Sequence, residues 1–141
     1  MEADYTTREA LIKWLEDFSQ AVVSRDFKAT LELFSASAEV SHWPSESGLQ
    51  VGRAEVEEFF KSLYGQPFTI SWAWRPLVFA VTGDAAWLAT DSDEIYTVGS
   101  QEKRYPYRVT AIFEKDAGGW KCVHFHGSEP AQHEAETAHS E

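Results

Sequence analysis

Cysteine is almost missing from this 141-residue chain: Cys122 stands alone, so no internal disulfide can form and packing must hold the fold. Basic residues are also scarce, 12 Lys and Arg against 23 Asp and Glu, for a net charge of −11. That field repels a phosphate backbone on average, which argues against nucleic acid as the main partner while leaving room for a local basic pocket. No apolar run approaches the roughly 20 residues of a membrane span, so no membrane partner is expected. Met1-Glu2-Ala3-Asp4 lacks the basic-then-apolar opening of a secretory signal, and a soluble, cytoplasmic protein is the expectation. There is no Gly-rich phosphate loop, no nucleophile elbow, and no cofactor is expected. No internal repeat breaks the chain, and its length suits one domain.

What the chain has in quantity is aromatic surface: 14% Phe, Trp and Tyr, with six Trp. Rigid rings line cores, pockets and interfaces alike. Leu11, Trp14, Leu15, Phe18 and Val22 recur at helical spacing behind a Thr6-Thr7-Arg8-Glu9 capping box with Thr6 as N-cap. They predict a helix over Thr7 to Ser24. A second helix is expected near Phe27 to Phe34, a short strand over Glu39 to Trp43, and a third helix over Arg53 to Tyr64 after Gly52. Four β-rich segments follow, Phe68–Val81, Ala85–Tyr96, Glu102–Glu114 and Trp120–Gly127, joined by Gly-bearing turns that make antiparallel hairpins. Pro76 marks an edge or a bulge in the first of them. The expected architecture is α+β: three N-terminal helices on a curved antiparallel sheet, spanning residues 1–130, with a disordered acidic tail over 131–141. The tail is expected to be removable without loss of folding.

Alternation along the strands sorts side chains into two faces. With Gly83-Asp84 as a two-residue turn, Phe79 lies opposite Leu88 and Arg75 opposite Ser92. A turn near Gly99-Ser100 allows Ser92 opposite Arg108 and Leu88 opposite Ile112. On that reading Arg75, Thr90, Ser92, Glu94, Arg108 and Thr110 form the polar end of an inner, pocket-lining face. Trp72, Trp74, Trp87, Asp91, Asp93, Tyr105 and Tyr107 form an outer face suited to a homodimer interface.

The last strand, Gly118-Gly119-Trp120-Lys121-Cys122-Val123-His124-Phe125-His126-Gly127-Ser128-Glu129-Pro130, resembles the closing strand of SnoaL-like proteins. It is more similar still to that of the calcium/calmodulin-dependent protein kinase II association domain. Both belong to the nuclear transport factor 2-like superfamily. Pro76 through Trp87, Leu33-Phe34 with Glu39-Val40, and Gly52-Arg53 extend the resemblance over roughly Thr7 to Pro130. It implies a cone with a deep pocket and frequent dimers or rings. Its members include isomerases, polyketide cyclases, dehydratases, epoxide hydrolases and non-catalytic hubs, so fold does not fix function. The pocket arginines of the association domain align with Ser92 and Thr110 and are absent here.

Candidate chemistry follows from residue type. Arg75 and Arg108 can clamp a carboxylate bidentately, or pair with Glu94 or Asp91 as structural ion pairs. A buried carboxyl among Asp91, Asp93 and Glu94 can serve as a general base, or the three can form a solvated rim. His124 and His126 share one face and, with His42, supply imidazoles for a metal or for proton transfer; two strand histidines are too few for a tight site, and no metal is expected. Cys122 reads as a buried hydrophobe. Trp14, Trp43 and Tyr64 pack the core or, as a set, stack on a flat ligand. The expected ligand site is therefore Trp14, Trp43, Tyr64, Arg75, Glu94, Arg108, Thr110 and His126. The first expectation for function is binding of a small, largely apolar molecule with a polar or anionic end, without established catalysis. An oligomerisation module and an isomerase, cyclase or dehydratase are the alternatives.

Overall fold

The computed structural model describes residues 1–37, 39–44 and 47–130; the tail expected to be disordered lies outside them. Helix α1, Tyr5–Val23, starts earlier than the capping box suggests, because the Asp4 carboxylate accepts from the Thr7 N–H at 2.8 Å and takes the N-cap role. Its stripe of Leu11, Trp14, Leu15, Phe18 and Val22 is buried as the spacing requires. Asp26 caps α2, Phe27–Glu32, in the same way. This helix stops short of Phe34, which forms a parallel bridge to Cys122 instead. Helix α3, Arg53–Tyr64, buries Val56 and Phe60. Arg25 sits in the turn between α1 and α2 at φ 56° and donates to the Tyr64 and Phe68 carbonyls at 3.0 and 2.9 Å, tying the end of α3 to the sheet.

The sheet contains β1 (Ser41–Trp43), β2 (Gln50–Val51), β3 (Thr69–Thr82), β4 (Ala85–Val98), β5 (Gln101–Asp116) and β6 (Gly119–Ser128), in the order β2-β1-β6-β5-β4-β3. It is curved and open, with the helices packed on one face. The long hairpins are antiparallel as expected, but β1 runs parallel to β6, so the sheet is mixed. That parallel pairing follows from the chain entering β1 after two helices rather than through a hairpin.

Two details of register decide which side chains reach the interior. Thr82 pairs with Ala85 and Phe79 with Leu88, as the two-residue turn demands. A bulge between Pro76 and Val78 then absorbs Leu77, so Arg75 faces Asp91, Trp74 faces Ser92 and Trp72 faces Glu94. In the next hairpin Gly99, at φ 59°, and Ser100 are the turn, Val98 pairs with Gln101, and Ser92 meets Tyr107 rather than Arg108. A one-residue slip exchanges the two faces of a strand. Trp72, Trp74 and Tyr107 therefore point toward the helices, while Arg75, Arg108, Thr110 and Ile112 lie on the outer face. The ring-rich outer face expected to form a dimer is thus largely redirected inward. Trp74 confirms its side by donating to the Leu15 carbonyl of α1 at 3.1 Å.

Arg108 is solvent-exposed, so Arg108→Ala is expected to change stability by less than about 0.5 kcal/mol in a thermal melt. A loss of several kcal/mol would contradict the register.

The core is a continuous aromatic cluster. Phe18 stacks on Trp14 and on Trp72, each at 5.1 Å between centroids, and meets Phe34 and Phe60 edge-on. Among the described residues no helix is long and apolar enough to cross a membrane.

Candidate functional site

Between α3, the Phe18 side of α1 and the inner sheet face lies a cavity of about 380 Å³. Phe18, Phe59, Phe60, Phe68, Trp72, Tyr96, Tyr107 and Phe125 supply its walls, with Ser62 and Gln66 among its polar lining. Its size and apolar lining with few polar groups fit a small-molecule site. A shallower groove of about 530 Å³ runs between α1 and β3, sharing Trp72 with the cavity.

Two polar side chains enter this aromatic surround from opposite parts of the sheet. Glu94, on β4, is 3% exposed, and the Trp72 indole N–H donates to its Oε2 at 3.0 Å. Trp72 is itself held between Phe18 and, at 5.4 Å, Trp74. One oxygen of the carboxyl is therefore held by a ring that packing immobilises.

His42, on β1, is 2% exposed and packs against the rings of Phe59, Phe60 and Phe125 at 4.7, 5.3 and 5.4 Å. Its tautomer can be assigned from its neighbours. Gln50 donates through Nε2 to the Gly48 carbonyl at 2.7 Å, which turns its Oε1 toward His42 Nδ1 at 2.9 Å. Nδ1 therefore carries the proton and donates it to Gln50, and Nε2 keeps a lone pair. Burial pushes the imidazole down to about 4; the Gln50 bond opposes this and the charge of His124 adds to it. His42 is neutral near pH 7.

Tyr107 reaches the inner face because residue 127 has no side chain. A Cβ at Gly127 would fall onto the Tyr107 hydroxyl and ring. Gly127→Ala is expected to cost about 1–3 kcal/mol by overpacking and to push Tyr107 into the cavity, measured by urea unfolding and by loss of ligand binding. Unchanged stability would mean that the Tyr107 ring lies elsewhere.

Of the residues expected to form the site, Glu94 lines the cavity. Trp14 belongs to the core, its indole N–H donating to the Leu33 carbonyl at 2.9 Å. Tyr64 shares a 2.6 Å hydrogen bond with Thr30, and burial pushes its hydroxyl up to about 12. Trp43 is 44% exposed and stacks on His126 outside the sheet. Arg75 forms an ion pair with Asp93 at 3.3 Å, and Arg108 and Thr110 are exposed on that same outer face. The hairpin slip and the bulge account for the displacement of Arg75, Arg108 and Thr110.

His124 also faces outward, sharing a 2.6 Å hydrogen bond with Ser41, so the three histidines do not converge. Among the described residues no group of three or more His, Cys, Asp or Glu is placed to hold a metal. Cys122 is fully buried, and burial pushes its thiol up, away from reactivity. His42, Trp72 and Tyr107 were misassigned or left aside by the sequence reading. Alternation of buried Val40 and His42 around Ser41 was the available signal for His42; the other two depended on register.

A profile of the SnoaL-like domain matches residues 12–132. The chain belongs to the SnoaL-like domain family. Solved structures of nuclear transport factor 2-like proteins superpose on it. A candidate dehydratase of that superfamily from Streptomyces avermitilis aligns with a TM-score of 0.79 at 20% identity, over 87% of this chain and 95% of its own. A candidate aromatic ring hydroxylase from Novosphingobium aromaticivorans gives 0.80 at 18%, over 92% and 93%. A candidate calcium/calmodulin-dependent protein kinase II association domain from Thiobacillus denitrificans gives 0.72 at 18%, over 84% and 93%. At these identities the likeness establishes the nuclear transport factor 2-like fold, and this SnoaL-like chain's chemistry has to be argued from its own cavity. No curated protein matches the chain significantly.

Proposed function

We propose that this SnoaL-like chain binds a small, flat, largely apolar molecule in the aromatic cavity, with the ligand's polar end directed at Glu94 and His42. The observation that carries this reading is a buried carboxyl, held at one oxygen by Trp72, inside a cavity walled by rings. The polar end is hydrogen-bonding rather than anionic, because Arg75 and Arg108 stand on the other face of the sheet. A ligand that binds only the folded state raises stability by about 2.7 kcal/mol at a hundredfold excess over Kd. Thermal melts against a panel of bicyclic ring compounds test the reading. At least one compound is expected to raise the wild-type Tm by several degrees, and Ser62→Trp, which plugs the rim of the cavity, to lose that rise. A panel that affects both proteins equally, or neither, would contradict it.

A second reading, proton-transfer catalysis, is favoured by one feature. A neutral imidazole with an available Nε2 lone pair shares the cavity with a carboxyl, the pairing that acid–base chemistry uses. The dehydratase and hydroxylase candidates among the structural relatives make the same fold a precedent for such chemistry. Conversion of a bound compound that stops in both Glu94→Gln and His42→Gln would favour it over binding alone.

A homodimer through the outer sheet face is also proposed. That face carries Trp43 and Ile112, with Arg75, Arg104 and Arg108 interspersed among Asp91 and Asp93, a pattern that can complement its own copy across a two-fold axis. Light scattering is expected to give about twice the 16.0 kDa chain mass. The chain mass alone at micromolar concentration would contradict it.

A further inference from the structure

Resting on the cavity reading above, we infer that Gln50 fixes the tautomer of His42 so that the cavity selects a neutral ring compound bearing an O–H or N–H donor over one whose polar atom only accepts. The inference starts from the ring edge of His42. Its faces are taken: Phe125 stacks on it with 30° between planes, and Phe59 and Phe60 lean against it. What it can offer a ligand is therefore a nitrogen in the ring plane. Nδ1 is engaged by Gln50 Oε1 at 2.9 Å. Nε2 forms no hydrogen bond among the described residues, and His42, though 2% exposed, lines the cavity.

Gln50 decides whether Nε2 donates or accepts. Its amide nitrogen is anchored 2.7 Å from the Gly48 carbonyl and 3.3 Å from Ser47 Oγ. Turning the amide over would set its oxygen against the Gly48 carbonyl, two acceptors at contact distance. Oε1 therefore stays on Nδ1, the ring proton stays with Nδ1, and Nε2 shows the cavity a lone pair. Burial keeps the imidazole neutral near pH 7, so a proton does not take that lone pair.

The other polar groups of the lining are served elsewhere. Glu94, Tyr96 and Tyr107 have partners within the protein, the Trp72 indole among them. Ser47, Ser62 and Gln66 are exposed, where water serves them. A ligand O–H or N–H aimed at Nε2 satisfies a buried acceptor. A ketone or ether oxygen in that place sets lone pair against lone pair and leaves both desolvated and unpaired. A site with a buried polar group discriminates strongly against the analogue that cannot pair with it. The ligand class is thus a hydroxylated or N–H-bearing ring compound small enough for about 380 Å³.

Three probes of similar shape separate a donor, an acceptor and neither: 2-naphthylmethanol, 2-acetonaphthone and 2-ethylnaphthalene. Each is titrated calorimetrically at pH 7 into the full chain, wild type and His42→Phe. Comparing one probe between two proteins cancels its own hydration. The alcohol is expected to bind His42→Phe about tenfold more weakly, a difference of about 1.4 kcal/mol, while the ketone and the hydrocarbon stay within about twofold or tighten. Imidazole nitrogen NMR of the wild type reads the tautomer: Nδ1 should be protonated, Nε2 unprotonated, and the alcohol alone should shift Nε2. In Gln50→Leu part of His42 should carry its proton on Nε2, and the alcohol should lose its advantage over the ketone. A loss shared equally by the three probes in His42→Phe, an unchanged alcohol affinity there, or a wild-type His42 protonated on Nε2 overturns the inference and leaves the cavity reading standing. A spectrum and a preference unchanged by Gln50→Leu overturn it as well. If His42→Phe does not fold, the wild-type spectra with alcohol and with ketone decide alone. If none of the three probes binds below roughly 1 mM, the cavity reading falls and the inference with it.

Discussion

Replacing Phe18 by alanine is expected to cost about 3–5 kcal/mol and to abolish ligand binding. Phe18 is 1% exposed and sits where the core becomes the cavity wall. One face of its ring stacks with Trp14 and it stacks also with Trp72, while Phe34, Phe60 and Phe125 pack around it. Removing the ring forfeits its transfer free energy and leaves a void that these large, mutually constrained rings cannot collapse to fill. The damage reaches the site through Trp72. With Trp74 stacked on one face but nothing on the other, its indole is free to tilt, and the 3.0 Å bond to Glu94 Oε2 is weakened. Urea unfolding measures the first effect and a naphthalene-probe titration the second. Trp43→Ala, at an exposed ring, is the control and should stay within about 0.5 kcal/mol. A loss under about 1 kcal/mol for Phe18→Ala would mean that the cluster is not packed around this ring.

The second large effect is acid sensitivity from His42. In the folded chain burial holds its protonation to about 4, against an ordinary value of 6.5. As pH falls below 6.5 the unfolded chain takes up the proton first, so stability drops. The drop continues until the folded state also protonates near pH 4. The stability tied to neutral His42 is fully present above 6.5 and amounts to about 3 kcal/mol across this window. Burial, and next the charge of His126, also lower His124, which adds to the loss in the same direction. Carboxylates titrate over part of the range too, so the informative quantity is the difference between wild type and His42→Phe. That variant keeps an aromatic ring among Phe59, Phe60 and Phe125 and removes the titrating group. Between pH 7.5 and 4.5 the wild type is expected to lose about 2–3 kcal/mol more than the variant. Parallel pH profiles would show that the imidazole is open to water.

The fold was legible because its signals are local and repeated. The stripe from Leu11 to Val22 can only be a buried helix face, and the Gly83 and Gly99 turns join segments too β-rich to be anything but hairpins. The closing motif around Val123-His124-Phe125-His126 carries the resemblance to the SnoaL-like family whose profile covers residues 12–132. The site was less legible because it depends on parity. Leu77 bulges out beside Pro76, and a turn of two residues rather than three pairs Val98 with Gln101. Pro76 does announce a bulge, yet not which residue it expels. Each event shifts a strand by one residue, and each sends an arginine outward and a ring inward. Glu94 survived because β4, the strand between the two irregularities, was read on the correct face. His42 was legible as a histidine alternating with Val40 about Ser41 in a short strand; what covers it is settled by the parallel pairing of β1 with β6, a contact between residues far apart in the chain.

The most direct test of the cavity account is a titration with 2-naphthylmethanol followed by proton NMR of the indole N–H and imidazole resonances. The account predicts saturable shifts at the Trp72 indole and the His42 ring, which line the cavity, with Trp43 and His126 on the outer face unmoved. Shifts confined to Trp43 and His126, or an unchanged Trp72 indole at saturation, would contradict it.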